Sequence, residues 1–528
     1  MTTYARMPDG LILPEELARQ QISSMLGAWP VGNPGSYRTA SALNKNTAFW
    51  HTSGGSADAD TLADLPTLRR QSRDLIRNEA LPAGAIDTMV LGVVGQGIVP
   101  QSRIDATALG ISDEQATAWS RMAERIFNHI ANKPTFDAEG RCNFWAMQRL
   151  VYRSRLESGD VLALRRYLPR AGKALGVAVQ VIEADRLATP LDKMQNQLIR
   201  EGVEVDADGF PVAFHCMKEH PGDKPIITDA TRFTRIPAYD GKGDPLALLV
   251  MSRLRPGQTR GVPHLAPVIE MFKQLSRYSE AEITAAVTSA MLAIFVKSPA
   301  PTSPLAGGAT IPGMVGGMQI TPKGNSITKM QSGMIVDLAP GEEIQVASAT
   351  RPNTAFEKFC DAVLSYVGTA LGVPREVLTK SYNTSYSAAR AAVQDAFRKY
   401  LVERDDLNCA FNQPVWNWVL DEAVARGMLE APGYWEDPMI RDAYQSAVWV
   451  GPVMMSLDPL KDANAAEKWL SLGIKAKQDV CAEQATDYDT TLTQRAKEKK
   501  AEEAAGLLVL PAAAAPANNN GGDNAQGA

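Results

Sequence analysis

His215-Cys216 and His220 bring two kinds of potential metal ligand within a few residues, a grouping found nowhere else in this chain of 528 residues. On a strand His215 and Cys216 point to opposite faces, and a soft-metal site needs a fourth ligand that the neighbourhood lacks. The histidines His51, His129, His215, His220 and His264 form no HExxH or HxH arrangement, so packed or solvated imidazoles are expected. Gly92, Gly95 and Gly97 fall in the wrong order for a dinucleotide fingerprint, and no GxxxxGK[ST] loop offers a phosphate cradle. There is no Gly-x-Ser-x-Gly elbow, and Ser158-Gly159-Asp160 reads as a helix stop leading into a strand. Glu342-Glu343 and Asp405-Asp406 are adjacent pairs that diverge on a helix or strand instead of sharing a proton. The residues therefore predict no catalytic group, no metal and no cofactor.

One polar turn, Thr379 to Tyr386, combines hydroxyls, amides and the cation Lys380, with Arg390 a little further on. Lys380, Asn383, Ser385 and Arg390 can exchange hydrogen bonds with passing phosphates at little cost per step. A plainer role is open to the same turn, with Ser385 or Thr384 capping the next helix, and the two roles are compatible. The Pro/Gly-rich stretch Pro299 to Gln319 is a longer alternative that carries no cation.

A mainly helical chain must position these residues. Leu65 to Val94 reads as a helix pair with Arg69, Arg70, Arg73 and Arg77 on a polar side and Leu68, Leu75, Ile76 and Ile86 turned inward. Ser112 to Asn132 is an amphipathic helix opened by the capping pattern Ser112-Asp113-Glu114-Gln115, and Asn143 to Ser158 is another. From Asp160 to Val250 short apolar runs alternate with turn signals, which predicts a compact β module inserted between helices.

The strongest period follows. Leu265, Val268, Phe272, Leu275, Ile283, Val287 and Ile294 recur at spacings built from three and four, predicting an apolar stripe on a rod from about Pro263 to Val296. At 1.5 Å per residue such a rod is roughly 50 Å long, more than a globular core needs. Short strands are expected near Met334 to Leu338 and Glu343 to Val346. Phe356, Phe359, Cys360, Val363, Val367 and Leu371 then line a helix ended by Gly372 and Pro374, and a long helix runs from Ser387 toward Asn412, where Pro414 kinks or ends it. Gly27 to Asp60 reads as an extended arm, and the residues after Lys500 as a helix-prone stretch passing into a disordered tail.

Composition narrows the function classes. Hydrophobic residues at 45% and charged residues at 21% exclude wholesale disorder. A net charge of −5 argues against tight, nonspecific wrapping of DNA. Five scattered cysteines supply neither a disulfide framework nor a zinc site and fit a reducing compartment. No run approaches the roughly 20 apolar residues of a membrane span.

Several stretches, each present once in this chain, follow one another in an order that recurs across a protein family: Arg70-Gln-Ser-Arg-Asp-Leu-Ile-Arg-Asn78, Gly95-Gln-Gly-Ile-Val-Pro-Gln101, Glu157-Ser-Gly-Asp160, Ile182-Glu-Ala-Asp-Arg-Leu187, Arg255-Pro-Gly-Gln-Thr-Arg-Gly-Val-Pro263, Tyr278-Ser-Glu-Ala-Glu282, Tyr382-Asn-Thr-Ser-Tyr-Ser-Ala-Ala-Arg390 and Asp458-Pro-Leu-Lys-Asp462. Together they resemble the portal proteins of lambda-like tailed bacteriophages, from about Leu65 to Lys500. The resemblance implies an α+β, mainly helical fold with long stem helices, an inserted small β module called the clip, a wing and a helical crown. It parses residues 1–64 as an N-terminal arm, 65–142 and 297–378 as the wing, 143–159 and 263–296 as stem helices, and 160–262 as the clip. Residues 379–413 become the tunnel loop and channel helix, 414–499 the crown, and 500–528 a disordered tail.

The function so implied is a ring, typically of twelve copies, at one capsid vertex. It would pass double-stranded DNA during packaging and ejection, and dock the terminase large subunit, then head-tail connector proteins. Major capsid and scaffold or protease proteins are further partners, and the location is the virion after assembly in host cytoplasm, with no membrane. Twelve copies at −5 give about −60, which favours weak, replaceable contacts with DNA. Two other classes stay open: a minor capsid or scaffold protein without a channel, and a nucleic-acid-processing enzyme, which would need a carboxylate metal cluster or phosphate loop.

Overall fold

The computed structural model describes residues 54–170, 172–223, 232–291, 356–382, 385–453, 459–484, 486 and 488–506, together with the short strands Tyr4–Arg6, Ile12–Pro14, Phe295–Lys297, Gln319–Ile320, Ser326–Ile327 and Glu343–Gln345. The chain divides into two units, Met1–Asp60 and Thr61–Ala528. In the first, Tyr4–Arg6 pairs antiparallel with Ile12–Pro14.

The second unit is built on helices α1 (Leu65–Asn78), α2 (Ala80–Val93), α3 (Asp113–Ala131) and α4 (Phe144–Ser158), then α5 (Ile269–Met291), α6 (Phe356–Leu371), α7 (Arg375–Thr379), α8 (Tyr386–Leu407) and α9 (Gln413–Ala425). Toward the C-terminus come α10 (Pro438–Gln445), α11 (Pro459–Ser471), α12 (Lys477–Glu483) and α13 (Tyr488–Ala504). Its main strands are β1 (Val99–Ser102), β2 (Asp160–Tyr167), β3 (Val177–Glu183), β4 (Ile199–Arg200), β5 (Val203–Val205), β6 (Pro211–Met217), β7 (Phe233–Pro237), β8 (Ala247–Met251) and β9 (Ala447–Val450). No described helix is long and apolar enough to cross a membrane.

Strands β8, β2 and β3 form one antiparallel sheet in that order, and β4 to β7 form a second in sequence order. Alternation splits the first sheet into two faces. Val161, Ala163, Val177, Val179 and Val250 join the helical core, while Leu162, Leu164, Ile182 and Ala247 cluster with Val203, Val205, Phe214 and Cys216 of the second sheet and with Ala238 just after it. The β module is therefore not a separate insertion. Its first sheet is a wall of the helical core, and only the four-stranded sheet stands outside it.

Helix α4 runs through that core, with eight of its fifteen residues buried. Phe144 meets Phe127, Phe136 and Phe411 at ring centroids 5.3, 5.6 and 5.8 Å apart, and Trp416 and Trp418 of α9 are almost wholly enclosed. The capping box at α3 is present as read, with the Ser112 side chain accepting from the Gln115 amide and the Gln115 side chain returning to Ser112. Two readings need correction. Arg69 of α1 does not lie on a polar side but is buried, 4% exposed, because the Asp160 carboxylate and the Ser158 carbonyl await it inside. Nor does Pro414 end the long helix. A π turn at Asn408–Asn412 joins α8 to α9 and absorbs the missing proline N–H, so the helical path continues to Ala425.

The predicted rod appears as a 3-10 turn at Ala266–Val268 followed by α5. Helix α6 runs antiparallel beside it: Tyr278 meets Phe356 and Phe359, while His264 lies 3.3 Å from the Leu371 carbonyl at the other end. Between the two helices, Phe295–Lys297 pairs antiparallel with Glu343–Gln345, and Gln319–Ile320 with Ser326–Ile327. The expected strand at Met334 to Leu338, the loop Pro299 to Gln319 apart from Gln319, and the tail 507–528 lie outside the described residues.

Candidate functional site

The polar turn is built by two helix ends. Helix α7 closes on Lys380, which takes a left-handed backbone (φ 55) with its side chain exposed. Ser385 opens α8 as its N-cap, accepting from the Ala388 amide at 3.4 Å, so the capping role read for it is present. Arg390 pairs with Asp462 of α11 at 3.2 Å, which spends part of its charge inside the protein. Asn383 and Thr384 lie outside the described residues.

The apolar stripe divides in two. Leu265, Val268, Phe272 and Leu275 are buried, at 0 to 6% exposure, against the subunit's own core. Ile283 and Val287, further along the same helix, are 65% and 51% exposed. On α6, Phe359 and Tyr366 are also exposed. Ile294 lies outside the described residues.

Four of the recurring stretches converge on one buried joint. The Asp160 carboxylate, fully enclosed, accepts from Arg260 Nε at 2.7 Å and Nη2 at 2.9 Å, from Arg69 Nη2 at 3.0 Å and from the Gly261 amide at 2.9 Å. Arg260 also donates to the carbonyls of Ala184, Leu187 and Glu201, and Arg69 to that of Ser158. Arg73 reaches the Ser158 hydroxyl and Asp185. Gly159 and Gly261 lie backbone to backbone, where a Cβ on either would collide with the other's carbonyl. Burial pushes the Asp160 carboxyl up, but Arg260 and Arg69 outweigh it and hold the pKa below the usual carboxylate value. Burial lowers Arg69 to about 10. A carboxylate gripped by two guanidiniums away from solvent acts as a fastener for α1, β2 and the segment between β8 and α5.

Two more joints root helix α8. Glu403 accepts from Arg155 of α4 at 2.5 Å and from Lys399 at 2.9 Å. Arg404 donates to the carbonyls of Val93, Gly92 and Pro452 at 3.0, 3.1 and 2.8 Å, with no carboxylate paired to it among the described residues, and burial lowers its pKa to about 10. At the π turn, Asn412 donates to Asn408 and accepts from Gln148, which also pairs with both backbone groups of Ile98. None of Asp160, Arg260, Arg155, Glu403 or Arg404 stands out by spacing. Their only signal in the sequence is that Asp160 and Arg260 sit inside recurring stretches.

The histidine grouping separates. His215 lies 2.9 Å from Glu204, which Arg235 also grips, while Cys216 faces the apolar space between the sheets. His220 instead joins Glu183 and Asp185, whose ligand atoms lie within 4.8 Å of one another. Arg73 pairs with both of those carboxylates, so a cation already occupies the charge between them.

Residues 44–404 match the phage portal proteins of the lambda family. The portal protein of Escherichia phage N15 is 24% identical over 465 residues, spanning 85% of this chain and 87% of that protein. Portal protein B of Escherichia phage lambda is 24% identical over 465 residues, spanning 85% and 86%. A chain from the neck of an empty GTA particle superposes with a TM-score of 0.47 at 10% identity, over 84% of this chain and 99% of that one. The family match runs through every recurring stretch that forms the Asp160 joint and on to the root of α8, and on that match the chain belongs to the lambda family of phage portal proteins.

Proposed function

We propose that copies of this portal protein close into a ring at one capsid vertex and pass double-stranded DNA through its centre. Terminase docks on the ring while the head fills, and head-tail connector proteins dock afterwards. The observation that carries the ring is the outer half of α5, where Ile283 and Val287 stand exposed on a helix whose inner half is buried. A closed ring needs one face of each subunit to dock on a different face of the next, and long helices provide such faces in parallel.

In this reading α4 and α5 are the two stem helices, with α6 antiparallel beside α5. Of the two, α4 is the one buried in the subunit's own core. The turn around Lys380, Asn383 and Ser385 is the candidate nearest the DNA. Rings with a central hole in negative-stain images, with a particle mass that is a whole multiple of 57.0 kDa, support this reading. Rods, shells or a stable monomer contradict it. The scaffold or minor-capsid alternative would give the second set of particles.

A further inference from the structure

From Val161 to Ile182 the chain has four cations, Arg165, Arg166, Arg170 and Lys173, and no carboxylate, within a protein of net charge −5. These residues form the outer ends of β2 and β3 and the connection between them. The fold adds Arg141 and Arg426 to the same tip. Arg170 donates to the Ala138 carbonyl at 2.7 Å, next to the turn that carries Arg141, while Arg426 donates to the Ala174 carbonyl and the Tyr167 hydroxyl.

The local carboxylates are already committed. Asp137 accepts from the amides of Glu139, Arg141 and Cys142, and Glu422 accepts from those of Gly176 and Val177 as well as pairing with Arg426. Asp421 lies 3.7 Å from Arg165 and is gripped by Arg441, and Glu139 stands 3.7 Å from Arg141 in the open. Six cations thus meet four carboxylates at one end of the first sheet. Arg141 keeps its side chain 84% exposed, and Arg166 and Arg170 are exposed as well.

We infer that this cationic hairpin tip is a phosphate-contacting surface for double-stranded DNA, with Arg141, Arg166 and Arg170 as its contacts. The inference rests on the proposed DNA conduit and adds to it the residues that hold the backbone. Guanidinium forks match phosphate oxygens, and exposed Tyr167 supplies a hydroxyl among them. A protein partner would call for apolar anchors, and the tip offers no cluster of them among its described residues. Lys173 is left out of the contact set because it is half-buried on the Val177 carbonyl, and Arg426 because Glu422 already pairs with it. Arg170 stays in because it is exposed, with one Nη2 bond to Ala138 and no carboxylate pairing among the described residues.

The test is the binding of a fluorescein-labelled 30-base-pair duplex to the purified full chain by anisotropy, across sodium chloride concentrations. It compares the wild type with Arg141→Gln/Arg166→Gln/Arg170→Gln and with the charge-keeping Arg141→Lys/Arg166→Lys/Arg170→Lys. Each lost phosphate contact should flatten the slope of log K against log salt by about 0.9, so three should flatten it by about 2.7. The lysine variant should keep most of the slope. An unchanged slope in the glutamine variant overturns the inference, and so does a wild type without salt-dependent binding, which would leave the tip to an acidic protein. Particle mass measured on the same samples separates the two proposals: rings with an unaltered slope sink only the hairpin, and absent rings sink the portal reading.

Discussion

Helices α4 and α5 are both amphipathic and meet different fates. Helix α4 buries hydrophobic and charged residues alike, and its Arg155 finds Glu403 across the core. Helix α5 buries its stripe as far as Leu275 and then presents Ile283 and Val287 to solvent. The difference teaches that periodicity reports a face wanting cover without naming the cover. Inside the subunit that cover is complete enough to enclose ion pairs. Beyond Leu275, Tyr278 still meets Phe356 and Phe359 of α6, while for Ile283 and Val287 the proposed cover is a second copy.

The sharpest break on the interior side is Asp160→Asn. It leaves Arg69 and Arg260 as neighbouring buried cations with no charge partner, which should cost about 3–5 kcal/mol of unfolding free energy. Denaturant unfolding of the subunit checks this, and a loss below about 1 kcal/mol would mean that the joint is not the fastener its geometry describes.

The next contrast lies within α5 itself. Leu275→Ala should cost about 2–4 kcal/mol by opening a cavity, whereas Val287→Ala should stay within about 0.5 kcal/mol in the dissociated subunit. Equal losses at the two positions would erase the division of the helix.

A smaller effect belongs to the four-stranded sheet, which lacks the helical cover of its neighbour. There the Arg235 guanidinium is the main cause that holds the Glu204 pKa at about 2, below its ordinary 4.5. A depressed carboxylate stabilises the fold above its ordinary pKa, and that stability is lost as pH falls through the folded value. The loss should therefore fall between pH 4.5 and about 2. Glu204→Gln should flatten this acid limb in pH-dependent thermal melts, and a melt curve of unaltered pH dependence would contradict the assignment.

Helix positions, the α3 capping box and the β runs could be read from local pattern because local hydrogen bonding and alternation set them. The buried charges could not. A helical periodicity assigns Arg69 to the outside by residue type, and only tertiary structure brings Asp160, nearly a hundred residues later, beneath it. Pro414 was misread for a related reason: the rule that proline ends a helix is local, and the π turn that relieves it is stabilised by Gln148 from another helix. In the polar turn, the Ser385 cap follows from type and position, while the pairing of Arg390 with Asp462 depends on where α11 packs.

The most direct measurement is the mass of the assembled particle for Val287→Asp beside the wild type. In the free subunit this residue is 51% exposed, so the variant should fold with near-unchanged far-UV circular dichroism and subunit stability. In a ring the new carboxylate would be buried without a partner between copies, at a cost of several kcal/mol per subunit. Folded subunits that fail to close, under conditions where the wild type forms rings, are the predicted result. A complete ring of Val287→Asp with wild-type mass would contradict the account, because the outer half of α5 would then not be where the copies meet.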